Sequence, residues 1–142
     1  MKSSVSATQA FYRERMLVAC APDHPFAGES SVRLDDALRQ PYVDRLRCEF
    51  RDTYLSEARR RGVEPMIAAR SDREEWVQTF IRQSSGITIA PERSLVVADL
   101  VRVPLADPRL ARTVAIAAPI GREDTQTIRD FLAAVRKHGW RK

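Results

Sequence analysis

Apolar residues occur along this chain in short runs that alternate with amphipathic stretches. Short apolar runs bounded by proline or glycine are typical of buried strands, and they predict six of them, at residues 16–21, 41–43, 66–69, 86–90, 101–105 and 113–118. Apolar positions three and four residues apart indicate helices between these runs. The predicted helices lie at 35–39, 49–61 and 73–84, with a short one from Pro91 and a last one capped by Asp124 or Thr125. Alternating strands and helices predict an α/β fold, in which helices flank a mixed, mainly parallel sheet.

The helix 73–84 has the clearest start signal in the sequence. Ser71 and Asp72 each precede a glutamate by three residues, which is the spacing of a capping box. The apolar face of the helix that they open is expected to bury four side chains: Trp76, Val77, Phe80 and Ile81.

Composition and charge fit an ordinary globular protein. The 142 residues are 44% apolar and 30% charged, with no sign of extensive disorder. The net charge of +5 comes from arginines scattered along the chain, whereas a nucleic-acid site would gather them on one face. No apolar run is long enough to span a membrane, and the N-terminus does not resemble a signal peptide. Because the two cysteines do not suggest a disulfide framework, we expect a cytoplasmic protein without a membrane partner.

The sequence carries no recognisable catalytic or metal-binding motif. The two histidines, His24 and His138, lie far apart, and no glycine-rich phosphate loop or nucleophile elbow is present. We therefore predict that the chain is not an enzyme and has no metal or cofactor. His24 stands between two prolines, so we expect it in a turn and not in a ligand site.

Two strand ends are the candidate binding positions. Ligands of open α/β sheets bind at the carboxyl ends of strands, where helix N-termini offer free N–H groups. Val43-Asp44-Arg45 follows the second predicted strand, and Arg70-Ser71-Asp72 follows the third. A structural role fits the same residues, since Ser71 and Asp72 are common capping residues and arginines are often solvated surface charges.

Several local motifs occur in a defined order, and together they resemble a known family. They are Glu14-x-Met16-Leu17-Val18-x-x-x-Pro22-Asp23-His24-Pro25-Phe26-Ala27, Val32-x-Leu34-x-Asp36-x-Leu38, Pro41-Tyr42-Val43, Arg70-Ser71, Trp76-Val77, Gly86-Ile87-Thr88-Ile89-Ala90-Pro91-Glu92, Val103-Pro104-Leu105, Arg112, Gly121-Arg122 and Phe131-Leu132 up to Trp140. Their order and spacing resemble the C-terminal effector domain of LysR-type transcriptional regulators, from residue 12 to the end.

The resemblance implies a periplasmic-binding-protein-like (type 2) effector domain, in which a small ligand lies between two α/β subdomains joined by crossover segments. We expect a disordered lead-in at 1–11, a crossover strand at 12–21 and the second subdomain at 22–100. Residues 101–142 would be the return crossover and the C-terminal strand and helix of the first subdomain. Compared with the family pattern, the helix-turn-helix and the first part of the effector domain are missing. We therefore expect an incomplete domain that would reach DNA only through that missing N-terminal helix-turn-helix.

The leading hypothesis from the resemblance is an inducer-sensing and dimerisation module. Asp44, Arg45, Ser71 and Trp76 would face the ligand cleft, with Val43, Arg70 and Asp72 beside them. Because helix N–H groups and arginines favour anions, the effector is expected to be a polar or aromatic acid.

Two alternatives remain open at this point. The chain could be an interaction remnant that only forms a homodimer or higher homo-oligomer, with the helix 73–84 as the contact that the resemblance implies. It could also be a redox sensor, because Cys48 lies among Arg45, Arg47 and Arg51, and nearby arginines favour the reactive thiolate. The segment from Cys48 loosely resembles the reactive-cysteine segment of peroxide-sensing family members, but their second cysteine is missing here.

Overall fold

The computed structural model describes residues 5–119, 121 and 125–140. Its strands, in chain order, are β1 (Val5–Cys20), β2 (Tyr42–Arg45), β3 (Ile67–Ser71), β4 (Thr88–Pro91), β5 (Val101–Pro104) and β6 (Ala111–Pro119). Its α-helices are α1 (Leu34–Ala37), α2 (Arg51–Arg60), α3 (Glu74–Arg82) and α4 (Gln126–Lys137), and short 3₁₀ helices lie at Pro25–Gly28 and Glu92–Ser94. The predicted alternation of strands and helices is confirmed. None of the helices described is long and apolar enough to cross a bilayer.

The described strands form two sheets, and β1 is the central strand of the larger one. β1 pairs with β4, β5 and β6, while β2 and β3 form a separate parallel pair. The pairings of β1 with β4 and with β5 are antiparallel, so the expectation of a mainly parallel sheet is wrong for these strands. Apolar periodicity identifies a strand but does not give the direction in which its neighbour runs.

The chain forms two compact units, and Arg15–Leu110 is the larger. Its core has two parts, because successive residues of a strand point to opposite faces of a sheet. Val18 and Ile89 belong to one buried cluster, whereas Ala19 and Ala90 belong to the other. The sheet of this unit is therefore covered on both faces.

The smaller unit combines Met1–Glu14 with Ala111–Lys142. Within it, the buried carboxylate of Glu14 accepts a hydrogen bond from Nε of Arg112 at 2.6 Å. The ring of Trp140 stacks on Phe11, with 5.3 Å between the ring centroids. None of the described residues of α4 is buried.

The expected disordered lead-in at 1–11 is wrong from Val5 onwards, because β1 already begins there. β1 pairs with β6. This pairing provides hydrogen-bond partners for backbone N–H and C=O groups, so a strand can form here although its side chains are mostly polar. Residues 1–4 lie outside the described part of the chain, as do Arg122 and the predicted capping residue Asp124. Thr125 is the N-cap position of α4, but its side chain makes no capping hydrogen bond.

The predicted capping boxes before α3 are also wrong. Arg73 is the N-cap residue, and its side chain makes no capping hydrogen bond. Ser71 still belongs to β3, where it lies opposite Arg45 of β2. Its hydroxyl accepts a hydrogen bond from the backbone N–H of Arg73 at 3.0 Å. Pairing with β2 thus extends β3 into the residues that the sequence pattern assigns to the helix cap.

The apolar face of α3 is narrower than predicted. Val77 and Ile81 are buried, but Phe80 is only partly buried and Trp76 is 56% exposed. Gln78, a polar residue, is fully buried instead. Its side-chain amide forms hydrogen bonds with Glu74 and with the backbone of residues 94–97, which compensates its burial.

Gly86 allows β4 to approach the start of β2. Its φ is +141°, and a Cβ atom at this position would lie 2.3 Å from the carbonyl oxygen of Pro41. The next residue, Ile87, donates a backbone hydrogen bond of 2.9 Å to that same oxygen. Only glycine fits this contact without a shift of the backbone.

Candidate functional site

A cavity opens where β2 and β3 end and α3 begins. Because the two strands are parallel, their last residues lie side by side, with Arg45 opposite Ser71. The cavity has a volume of about 180 Å³, and its described lining consists of Arg45, Arg47, Ser71, Asp72, Arg73, Glu74 and Val77. The structure therefore brings together three of the residues that the sequence singled out: Arg45, Ser71 and Asp72.

An ion pair joins the two sides of this cavity. Arg45 donates hydrogen bonds to Oε2 of Glu74 from Nε, at 2.8 Å, and from Nη2, at 2.5 Å. The third nitrogen, Nη1, donates to Sγ of Cys48 at 3.1 Å. Only 11% of the Arg45 side chain is exposed. All three nitrogens of its guanidinium are thus engaged, two with Glu74 and one with Cys48.

Gln78 fixes the other oxygen of Glu74. Its Nε2 donates to Oε1 of Glu74 at 2.9 Å and to the carbonyl oxygen of Ser94 at 2.7 Å. Its Oε1 accepts hydrogen bonds from the backbone N–H groups of Val96 and Val97, both at 2.9 Å. One buried amide therefore connects the cavity wall to the end of the second 3₁₀ helix and to the residues that follow it.

The lining carries one net positive charge, from three guanidinium and two carboxylate groups. Arg45 pairs with Glu74, and Arg47 lies 3.6 Å from Asp72 in an exposed pair. For Arg73, the described residues provide no carboxylate within 4.0 Å. Arg73 is also next to the first N–H groups of α3, which have no partner within a helix. The start of α3 therefore offers an uncompensated cation.

Asp44 and Arg70 lie outside this lining, and their role in effector binding stays a prediction. Asp44 is buried, and its two oxygens accept hydrogen bonds of 2.9 Å from Nε and Nη2 of Arg51. Nε of Arg70 lies 3.5 Å from the same carboxylate. The hydrogen bond to Asp44 raises the pKa of Arg51. Neighbouring residues of a strand point to opposite faces, so the side chains of Asp44 and Arg45 lie on opposite faces of β2.

Val43 and Trp76 are also absent from the cavity. Val43 is fully buried in the core, where its carbonyl oxygen accepts a hydrogen bond from the Thr88 hydroxyl at 3.0 Å. Trp76 lines a separate cavity of about 260 Å³ with Thr79 and Phe80. On a helix, residues four apart share a face, so Trp76 and Phe80 turn away from the face that carries Glu74 and Gln78.

Four lining residues are not among the binding residues that the sequence predicts: Arg47, Arg73, Glu74 and Val77. The sequence pattern assigns Glu74 only to a capping box. Its spacing of four residues from Gln78 is the pattern that could have identified their contact.

The two cysteines differ in burial. Cys20 is fully buried, and burial raises the pKa of its thiol to about 11, with a smaller contribution from the charge of Asp23. Cys48 is partly buried, and the redox hypothesis stays a prediction.

Nδ1 of His24 accepts a hydrogen bond from the backbone N–H of Phe26 at 3.0 Å. The prediction that His24 is a turn residue is therefore confirmed. Among the residues described, no group of three or more potential metal ligands lies together.

Comparison with known proteins identifies a family model that matches most of the chain. The model described as "LysR substrate binding domain" matches residues 3–140. The transcriptional dual regulator GltC of Bacillus subtilis (strain 168) is 23% identical in an alignment 126 residues long, which covers 84% of this chain and 41% of GltC. The chain thus spans about two fifths of the length of this curated relative.

Solved structures share the fold. The regulatory domain of CcmR from Synechocystis PCC6803, in complex with 2-PG, has a TM-score of 0.80 at 18% identity, over 95% of this chain and 68% of that one. The effector binding domain of BenM with its effector benzoate has a TM-score of 0.68 at 22% identity, over 94% of this chain and 66% of that one. These similarities confirm the predicted periplasmic-binding-protein-like fold.

Proposed function

Since this chain belongs to the LysR substrate-binding domain family, we propose that it is the effector-sensing part of a cytoplasmic transcription regulator. The effector would bind in the cavity at the ends of β2 and β3. CcmR and BenM support this proposal, because each was solved with a small molecule in the corresponding kind of domain. GltC supports the regulatory role, because it is a transcriptional dual regulator.

The observation that carries the proposal is the position of Arg73. Arg73 lines the cavity at the start of α3, and no described carboxylate lies within 4.0 Å of its guanidinium. A helix N-terminus with an arginine beside it favours a carboxylate or a similar anion. The buried side chain of Val77 adds an apolar surface to the same cavity. We therefore propose a small polar or aromatic acid as the effector.

Thermal unfolding of the whole chain with small carboxylates, benzoate among them, tests this proposal. A ligand that binds only the folded state at 100 times its Kd stabilises that state by about 2.7 kcal/mol, so the Tm should rise. The Arg73→Ala variant should lose this rise. Arg59→Ala is the matched control, because Arg59 lies on the exposed last turn of α2. A folded chain that shows no shift with any acid would count against the proposal, as would an unchanged shift in Arg73→Ala.

Arg73→Ala is a better test than Arg45→Ala. Removal of Arg45 would leave Glu74 without its ion-pair partner in a half-buried position, and an unpaired charge of this kind destabilises the fold. Arg73 has no such partner among the described residues, so its loss changes the cavity with little effect on the rest of the chain.

Self-association is a second candidate function, and the outer face of α3 favours it. Trp76 is 56% exposed and forms a 260 Å³ cavity with Thr79 and Phe80. A large exposed aromatic side chain in an apolar cavity is typical of a protein–protein contact. Sedimentation analysis should show a homodimer or higher homo-oligomer that dissociates in Trp76→Ala. A chain that stays monomeric at high concentration would exclude this function.

A further inference from the structure

We propose that Glu74 makes the cavity selective for effectors that carry a single negative charge. This inference rests on the proposed function, since it concerns the acid that would bind beside Arg73. It adds a rule for the charge of that acid: dicarboxylates and other dianions are rejected.

Glu74 is placed where a bound anion would meet it. It lines the cavity together with Arg45 and Arg73, and 30% of its side chain is exposed. Its hydrogen bonds to Arg45 neutralise that guanidinium, so the most buried arginine of the lining is already compensated within the chain. An anion that enters the cavity therefore meets an uncompensated cation, Arg73, and a fixed carboxylate, Glu74.

Glu74 cannot turn away to make room for a second charge. Both of its oxygens accept hydrogen bonds, one set from Arg45 and one from Gln78. Gln78 is fully buried, and its remaining bonds are to the backbone of residues 94–97. Movement of Glu74 would leave a buried amide donor and a nearly buried guanidinium unsatisfied, and both losses are costly.

The charges of the lining then determine which anions fit. Arg47 is paired with Asp72, so Arg73 alone is uncompensated. A monoanion brings the lining to neutrality. A dianion leaves an excess negative charge next to Glu74, where partial burial weakens the screening by water. Like charges brought together in this way suppress the wrong partner.

Pairs of acids that differ by one charge at nearly constant shape test this rule. We would titrate the whole chain by calorimetry at about pH 8, where both carboxyl groups of a diacid are ionised. The pairs are succinate with succinamate and terephthalate with 4-carbamoylbenzoate, and benzoate is the reference acid. The wild type should bind the monoanion of each pair at least about tenfold more tightly. Glu74→Gln, which keeps the shape but removes the charge, should reduce that ratio about tenfold.

Glu75→Gln is the matched control, because Glu75 is the next residue of α3 and is exposed outside the described lining. It should leave the ratio unchanged. Equal or tighter binding of the dianions by the wild type would overturn the rule, as would a ratio that Glu74→Gln does not change. Binding of benzoate without either member of any pair would show selection by shape and would also overturn it. The ratio of monoanion to dianion affinity is measured on the wild type alone, so the rule can be refuted even if Glu74→Gln does not fold. Failure of all the acids, benzoate included, would instead overturn the proposed function.

Discussion

The carboxylate of Glu74 accepts two hydrogen bonds from the guanidinium of Arg45, at 2.8 Å from Nε and 2.5 Å from Nη2. Arg45 is the last residue of β2 and Glu74 the first of α3. The sheet edge and the helix that surround the cavity are therefore joined by charges that belong to its wall. The same contact stabilises the fold and sets the electrostatic surroundings of the proposed ligand.

Replacement of Gln78 by alanine should destabilise the larger unit. The substitution removes the partner of the backbone N–H groups of Val96 and Val97 and of the Ser94 carbonyl group. A buried polar group left in this state costs about 1–3 kcal/mol. Because these three groups are only partly buried, the free energy of unfolding should fall by about 3 kcal/mol, which is the low end of their sum. Urea denaturation measures this change, with the exposed Gln83→Ala as the control. A loss below about 0.5 kcal/mol, the usual range of surface substitutions, would contradict the role given to Gln78.

Replacement of Asp44 by alanine should also destabilise the fold, while replacement of Arg70, the second arginine beside it, should have little effect. Asp44→Ala leaves Arg51 without its two hydrogen bonds of 2.9 Å. Breaking a buried pair from one side costs about 3–5 kcal/mol, and Arg51 is partly exposed, so we expect about 3 kcal/mol. Arg70→Ala should cost less than about 1 kcal/mol, because that side chain is 60% exposed and its contact is longer. Chemical denaturation of both variants would show the difference, and equal losses would argue against it.

The turn around His24 should weaken in acid. Burial lowers the pKa of His24 from its ordinary value of 6.5, and the opposing effects of a hydrogen bond with Gln40 and the charge of Asp23 are smaller. Folding therefore favours the neutral ring, whose Nδ1 accepts the hydrogen bond from Phe26. This contribution is complete above the unfolded-state pKa and is lost as the pH falls through the lower folded-state pKa.

His24→Asn tests this pH dependence, because an asparagine oxygen accepts the same hydrogen bond without titrating. Thermal unfolding between about pH 7.5 and pH 5 should show a smaller loss of stability in the variant than in the wild type. Identical pH profiles would show that His24 does not contribute.

The two cysteines should differ sharply in their reaction with iodoacetamide. Cys20 is fully buried and its thiol has a pKa of about 11, so it should remain unmodified while the protein is folded. Cys48 is partly exposed, with Nη1 of Arg45 at 3.1 Å from its sulfur atom, and should be labelled. Mass spectrometry identifies the modified residue. Labelling of Cys20 before Cys48 would contradict this order, and a Cys48 that mild peroxide leaves unchanged would end the redox hypothesis.

Local sequence patterns were sufficient to predict most of the elements and part of the site. The helix predicted at 49–61 corresponds to α2 (Arg51–Arg60), and Tyr54 and Ala58, four residues apart on one face of it, are buried. The carboxyl ends of β2 and β3 were predicted as a binding position from strand and helix order alone, and Arg45 and Ser71 line the cavity there. The positions of helices and strand ends depend on residues close together in the sequence, so local patterns are sufficient to predict them.

What the sequence did not reveal depends on contacts between distant segments. Arg45 and Glu74 are 29 residues apart, and no local pattern selects that pairing over a capping box. Asp44 and Arg45 are adjacent in the sequence and were both predicted to bind the effector, although the alternation of a strand places their side chains on opposite faces. Gln78 is buried because the backbone of residues 94–97 satisfies its amide, and such satisfaction can be recognised only in three dimensions.

Calorimetric titration of benzoate into the wild-type, Arg73→Ala and Arg59→Ala chains is the most direct test of effector binding beside Arg73. We predict one site per chain in the wild type and in Arg59→Ala. Loss of one charge-assisted contact should weaken binding at least about tenfold in Arg73→Ala. Equal affinity in all three chains would contradict the assignment of this cavity as the effector site. A folded wild type that gives no heat of binding with benzoate or with any other small carboxylate would contradict it as well.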